Sequence, residues 1–167
     1  MTSKKFIMII KILKKLHEIK RRFIRKYNTK ICKLLFGSFG KKSVINGKII
    51  LINPKNIYFG KNSSLNIGAL LNASTIIKIG NYVHISSYCI INTGGLNYKK
   101  IMSERHHIVK PVTIEDGVWI GSGAIINPGV IIRKNSVIGA GSVVSDEIPE
   151  NSIAFGIPAK IIRKITD

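Results

Sequence analysis

The sequence predicts an all-β fold, a parallel β-helix of hexapeptide repeats, with an amphipathic α-helix before it and a short helix or cap after it. Three observations carry this. From Ile114 onward an aliphatic residue returns every sixth position, at Ile114, Ile120, Ile126, Ile132, Ile138 and Val144. A second series follows each by four, at Val118, Ala124, Val130, Ser136, Ser142 and Ile148. Turn formers fill the gaps, as in Asn127-Pro128-Gly129 and Gly139-Ala140-Gly141. Helical faces repeat every three to four residues, so a strict period of six is not helical. It fits one short strand plus one turn. Three such units close a triangular coil, and stacked coils share one core.

Residues 1–40 form a basic amphipathic helical segment in this reading. Positions 4–36 hold no Gly or Pro, and Phe6, Ile9, Leu13, Leu16, Ile19, Phe23, Tyr27, Ile31 and Leu34 fall on one face. Residues 1–48 carry 15 Lys and Arg against the single acid Glu18, whereas the remainder carries 12 against seven, within a net charge of +19. The basic excess therefore belongs to the leading segment, which argues against a specific nucleic-acid binder. The apolar run Phe6–Ile10 is too short to cross a bilayer and lacks a signal-peptide pattern. A cytoplasmic protein is expected. Its helix either lies on the anionic inner face of the membrane through residues 4–36 or packs on the assembly. It should stop near Gly37–Gly40.

Residues 41–167 form the β-helix domain. Degenerate repeats begin near residue 49. Phe59, Leu65, Leu71 and Ile77 keep the spacing, then the phase slips by two to Ile79, Ile85 and Ile91. The 23 residues from Ile91 to Ile114 are not a multiple of six, so the polar stretch 94–110 reads as an excursion loop, a place where function concentrates. After Val144 the repeat ends, and a Pro-led short helix from Pro158 would cap the stack. Cys32 and Cys89 lack metal-ligand spacing and read as reduced, structural thiols.

The elements VWIG (Val118–Gly121), NPGV (Asn127–Val130), VIGAGSVV (Val137–Val144) and GIPAKIIR (Gly156–Arg163), in this order, closely resemble the hexapeptide-repeat acyltransferases. Galactoside, maltose and polysaccharide O-acetyltransferases are among them. The resemblance implies a left-handed prism, a homotrimer with sites between prisms, and acetyl-CoA as acyl donor. It places Ser122, Ala140 and Ser145 against the coenzyme arm and Lys160 and Arg163 at its phosphates, a role suited to cations. Ser122 and Ala140 would also serve simply as small turn residues. Asp146 departs from the family, which usually has Lys there. Trp119 is either a wall of the acetyl and acceptor cleft or a packing residue at the trimer seam. Asn66 matches an acceptor-binding asparagine, and Asn92 would line the same cleft.

O-acetyl transfer needs a base for the acceptor hydroxyl, and histidine titrates in the right range. The resemblance expects it at Gly95 or Leu96, where this chain has none. Of the four histidines, His17 lies on the helix and His84 in a repeat, where a structural or face-lining role is expected. His107 and His106, in the excursion loop, are the candidate bases; a loop Arg-His before the next coil is similar to an active-site element of serine acetyltransferases. No metal is expected, since His84 with His106-His107 lacks the spacing of a γ-type carbonic anhydrase zinc site. The expected function is acetyl-CoA-dependent O-acetylation of a sugar, free or lipid-linked, in surface polysaccharide or lipopolysaccharide assembly. The alternative is a catalytically degenerate homologue acting as a binding or scaffold protein.

Overall fold

The computed structural model describes residues 3–97, 101–104 and 106–166. Ser3–Leu35 is one continuous α-helix. The chain beyond it winds into a three-sided prism of short parallel strands, and its coils are left-handed. Face A stacks Ser38–Phe39, Ile57–Phe59, Ile77–Ile79, Val112–Ile114 and Ile131–Ile132. Face B stacks Val44–Asn46, Ser64–Asn66, His84–Ile85, Trp119–Ile120, Val137–Ile138 and Ser152–Gly156. Face C stacks Ile50–Ile52, Leu70–Asn72, Ile90–Asn92, Ile125–Ile126 and Val143–Val144.

Both predicted sixfold series point inward. Ile114, Ile120, Ile126, Ile132, Ile138 and Val144 are buried, as are Val118, Ala124, Val130, Ser136, Ser142 and Ile148. Each buried aliphatic side chain contributes roughly 1.5–3 kcal/mol. The buried serines are satisfied by backbone: Ser136 Oγ donates to Pro149 O at 2.7 Å, and Ser63 Oγ to Gly80 O at 3.0 Å. At the corner from face A to face B, the equivalent residues Asn62, Tyr82, Gly117, Asn135 and Asn151 all take positive φ, between 53° and 73°. That conformation explains why Asn and Gly recur there.

Strand register explains the slip in phase. Tyr58 pairs with Ser38 and Lys78 with Tyr58, so the early coils hold 20 residues. Thr113 pairs with Ile131, giving 18. The two extra residues enter at the corner from face C to face A, where Leu71 to Ile79 spans eight positions and Ile126 to Ile132 spans six. The excursion leaves from the same corner. It is not an irregular loop throughout: Gly94–Leu96 and His107–Val109 pair as an antiparallel hairpin. Positions 98–100 and Arg105 of the expected excursion lie outside the described residues.

The helix expected from Pro158 is instead a strand. Ala159–Lys164 pairs antiparallel with Ser152–Gly156 across the cis Ile157–Pro158 turn and extends face B. Pairing with an open strand edge satisfies the backbone there, and this outweighs the helix-compatible composition of AKIIRK. At the other end only the last turns of the long helix seat on the prism. Cys32 and Phe36 are buried, and Thr29 Oγ1 accepts the Ile45 N–H at 3.0 Å.

Candidate active site

Two columns run along the edge between faces B and C. Extending the strand register past the strand ends aligns Asn46, Asn66, Ser86, Gly121, Gly139 and Phe155 in one. Beside it stand Gly47, Ile67, Ser87, Ser122, Ala140 and Gly156. Ser122 and Ala140 therefore stack, and Gly141 N–H donates to Ser122 O at 2.8 Å. A Cβ on Gly121 would lie 2.5 Å from Ala140 N, so coil contact requires that glycine. Small, exposed side chains at Ser122 and Ala140 leave this stretch of the edge open as a track.

Trp119 stands beside the track, exposed, with Nε1–H donating to Ser86 Oγ at 3.2 Å. It is in register with His84, whose Nδ1 is 2.9 Å from Ser64 Oγ. Asn66 is held in place: its Oδ1 accepts from Asn46 at 3.0 Å and its Nδ2 donates to Ile85 O at 2.9 Å. One N–H and one lone pair of its amide remain for a ligand. Lys160 pairs in register with Phe155 and so marks the far end of the track, with Arg163 close by on face B. Asp146, the departure noted above, reaches Lys160 at 3.9 Å. Both side chains are at least 70% exposed, so the pair is weak.

The other predicted residues stand on the edge between faces C and A. Ser145 Oγ accepts from Asn127 Nδ2 at 2.9 Å, and Asn92 occupies the same column. The Oδ1 of Asn92 is buried without a hydrogen-bond partner among the described residues. Gly95 sits in the hairpin, and a Cβ there would meet Pro128 Cγ at 4.0 Å. Gly95, one of the two positions expected to hold histidine, thus faces the Asn127-Pro128-Gly129 turn. His107 pairs in register with Leu96, His106 O accepts from Asn97 N at 3.1 Å, and both imidazoles are exposed.

Within one chain the structure brings together Asn66, Trp119, Ser122, Ala140 and Lys160, with Arg163 nearby. It sets His106, His107, Asn92 and Ser145 apart on the next edge. Face C lies between, and its outer side carries an aliphatic row of Ile50, Leu70, Ile90, Ile125 and Val143. The sequence reading missed this row and the Ser64–His84 pair. Both become visible once the 20-residue coils are recognised, since Ser64 and His84 are one such coil apart. Among the described residues no group of three or more His, Cys, Asp or Glu is placed to hold a metal.

Residues 111–146 match the family model described as bacterial transferase hexapeptide (six repeats). The chain is 34% identical over 138 residues to a galactoside O-acetyltransferase of Escherichia coli, covering 82% of this chain and 68% of that protein. A hexapeptide-repeat acetyltransferase of Vibrio cholerae, solved with acetyl-CoA, aligns with a TM-score of 0.77 at 33% identity over 83% of this chain and 76% of that one. A maltose O-acetyltransferase of Clostridium difficile aligns with a TM-score of 0.74 at 38% identity over 83% and 74%. The track of small residues, the coil geometry and these likenesses lead to one conclusion: the chain belongs to the hexapeptide-repeat acetyltransferase family.

Proposed function

We propose that this protein transfers acetyl from acetyl-CoA to a sugar hydroxyl in a surface polysaccharide or lipopolysaccharide. The observation that carries the reading is the open track along the edge between faces B and C. Three coil steps of about 4.8 Å separate the Phe155 row from the Ser86 row, about 14 Å. A pantetheine arm, about four peptide units long, spans roughly 14 Å when extended. With the coenzyme phosphates at Lys160 and Arg163, its thioester would lie near Trp119 and Ser86. Asn66, one coil further on, then faces the acceptor.

Chemically, the acceptor oxygen attacks the thioester carbonyl carbon as a base takes its proton, and the thiolate leaves. His107 or His106 is the proposed base. It would act from the hairpin of one copy on the track of a neighbouring copy, in a homotrimer. Face C supports that assembly, because an outward-facing aliphatic row, half-buried except for the exposed Ile50, lies between the two site-bearing edges and suits burial near a threefold axis. Ile90→Asp/Ile125→Asp should then give a monomer by light scattering; an unchanged trimer refutes face C as the interface.

A second reading of the base has its own observation. His84 lies on the track's own side, next to Trp119, and Ser64 holds Nδ1 so that Nε2 is left to face a substrate. Release of CoA with a panel of sugar acceptors decides. His106→Ala/His107→Ala should lower turnover by roughly 10²–10⁴-fold, with His84→Ala near wild type. The reverse pattern assigns the base to His84. No release with any acceptor favours the scaffold alternative.

The helix also supports a membrane setting. It seats through Thr29, Cys32 and Phe36, while Phe6, Leu13, Leu16, Phe23 and Tyr27 are more than half exposed. At 100° per residue Phe23 and Arg25 lie on opposite sides, so the apolar stripe points away from the prism. No helix among the described residues is long and apolar enough to cross a membrane. Peripheral binding to an anionic leaflet fits such a helix. Flotation with anionic liposomes should recover the whole chain and lose a deletion of residues 1–36; equal recovery refutes it.

A further inference from the structure

Ahead of Thr29 the helix overhangs the first coils and leaves a groove of about 650 Å³. Its walls include Arg21, Arg22 and Arg25 from the helix and Lys48 from the first coil, against the single carboxylate Glu18. None of these four cations makes an ion pair among the described residues. Arg21 and Arg22 stand four and three positions before Arg25, a spacing at which like charges repel on a helix. An anion in the groove would relieve that repulsion. Asn46 and Gly47 also line it, so the groove opens directly onto the foot of the track between faces B and C.

We propose that the groove binds the diphosphate of a diphosphate-linked saccharide, which makes that class of molecule the acceptor. The proposal rests on the sugar acetyltransferase reading above. Guanidinium groups meet phosphate oxygens through paired N–H donors, and three on one wall suit two adjoining phosphates better than a neutral sugar. Distance supports the same assignment. Two coil steps, about 10 Å, separate the Asn46 row from the Ser86 row. That is room for a sugar ring between a phosphate in the groove and a hydroxyl at the thioester. The coenzyme would enter the track from the Lys160 end and the acceptor from the helix end, each held by phosphates. Asn66, between the two, would contact the ring.

Calorimetric binding with the full chain tests this, using a uridine-diphosphate hexose, the matching uncharged methyl glycoside, and vesicles containing phosphatidylglycerol. The wild type should bind the diphosphate hexose at least tenfold more tightly than the glycoside. Arg21→Gln/Arg25→Gln should lose at least tenfold of that affinity, while Lys134→Gln/Lys164→Gln, which removes the same charge elsewhere, should lose less than twofold. Unchanged coenzyme A affinity in the arginine variant shows that it is folded. Equal binding of hexose diphosphate and glycoside overturns the proposal, as does an equal loss in both variants. Vesicle binding that depends on Arg21 and Arg25 without binding of the soluble diphosphate also overturns it and makes the groove a headgroup site. If no acceptor supports CoA release while the binding pattern holds, the acetyltransferase reading fails and the groove assignment stands. A polyprenyl-diphosphate sugar that competes with the soluble probe would identify the lipid-linked form as the source.

Discussion

Phe36→Ala should release the N-terminal helix from the prism without unfolding the prism. Phe36 is 7% exposed, and its ring centroid lies 5.8 Å from that of Phe39 and 6.1 Å from that of Phe59. Truncating such a side chain costs about 3–5 kcal/mol. The other attachments are slight by comparison. Cys32 packs as a small hydrophobe, and the Thr29 hydrogen bond contributes about 1 kcal/mol. Loss of Phe36 therefore removes most of what holds the helix. Isolated helices owe little to propensity alone, and this one carries repelling cations on the side facing the prism. Hydrogen exchange gives the readout. Amides in the helix should lose protection by roughly 10²–10⁴-fold, whereas those of the central coils, from Ile77 to Ile138, should change little. Joint loss of protection in helix and prism would refute the idea that the helix is an appended cap. So would unchanged protection in both.

Other perturbations test the track and the core. Gly121→Ala places a Cβ 2.5 Å from a backbone nitrogen of the next coil, an overpacking that costs about 1–3 kcal/mol and should lower the melting temperature by several degrees. Asp146→Lys removes the carboxylate 3.9 Å from Lys160 and restores a cation to the proposed phosphate end, so KM for acetyl-CoA should fall several-fold with kcat little changed. Burial raises the Cys32 thiol to about 11. Native protein at pH 8 should therefore resist iodoacetamide at Cys32, and denaturant should restore reaction. The folded pKa lies above the ordinary thiol value of 9.0, so the folded state holds a proton that the unfolded state releases. The stability linked to Cys32 is present below pH 9 and lost between pH 9 and 11. Cys32→Ala should flatten that decline.

The prism was legible because its core obeys one rule six times in succession. A period of six with turn formers between leaves little choice from Ile114 to Val144. The early coils were less clear, since two extra residues at the corner from face C to face A shift the phase at each turn. The excursion leaves from that corner too, and its hairpin was unreadable because Gly94-Gly95 carries almost no strand signal. The segment AKIIRK was misread because pairing with a free strand edge, invisible to local propensity, decided its state. For the site, Ser122 and Ala140 came from the resemblance, and the spacing that sets them on one column is the 18-residue length of the later coils. The hexads gave no hint that Ser145 and Asn92 stand on another edge, because a hexad fixes whether a residue faces inward and leaves the choice of face open. The cationic groove was hidden for a related reason. Arg21, Arg22 and Arg25 read as a solvated helix face until the fold set them with Lys48 around one groove.

The two candidate bases make opposite demands on assembly, and mixed oligomers separate them. If His107 or His106 acts across an interface, each site takes its track from one copy and its base from the next. Ala140→Trp would block the track, and His106→Ala/His107→Ala would remove the base, so each variant alone should be inactive. Co-assembled in equal amounts, however, an intact track from the loop variant will meet an intact loop from the track variant at about one interface in four, since a threefold ring uses head-to-tail contacts. Activity should return to about a quarter of wild type. If His84 is the base, the relevant pairing is His84→Ala with Ala140→Trp. Both changes strike the same edge of the same chain, so every site in the mixture keeps one defect and activity stays absent. Recovery from His84→Ala with Ala140→Trp would refute an edge built within one chain. Failure of the loop variant to complement Ala140→Trp, with mixed trimers demonstrated by mass, would refute a base supplied from the neighbouring hairpin.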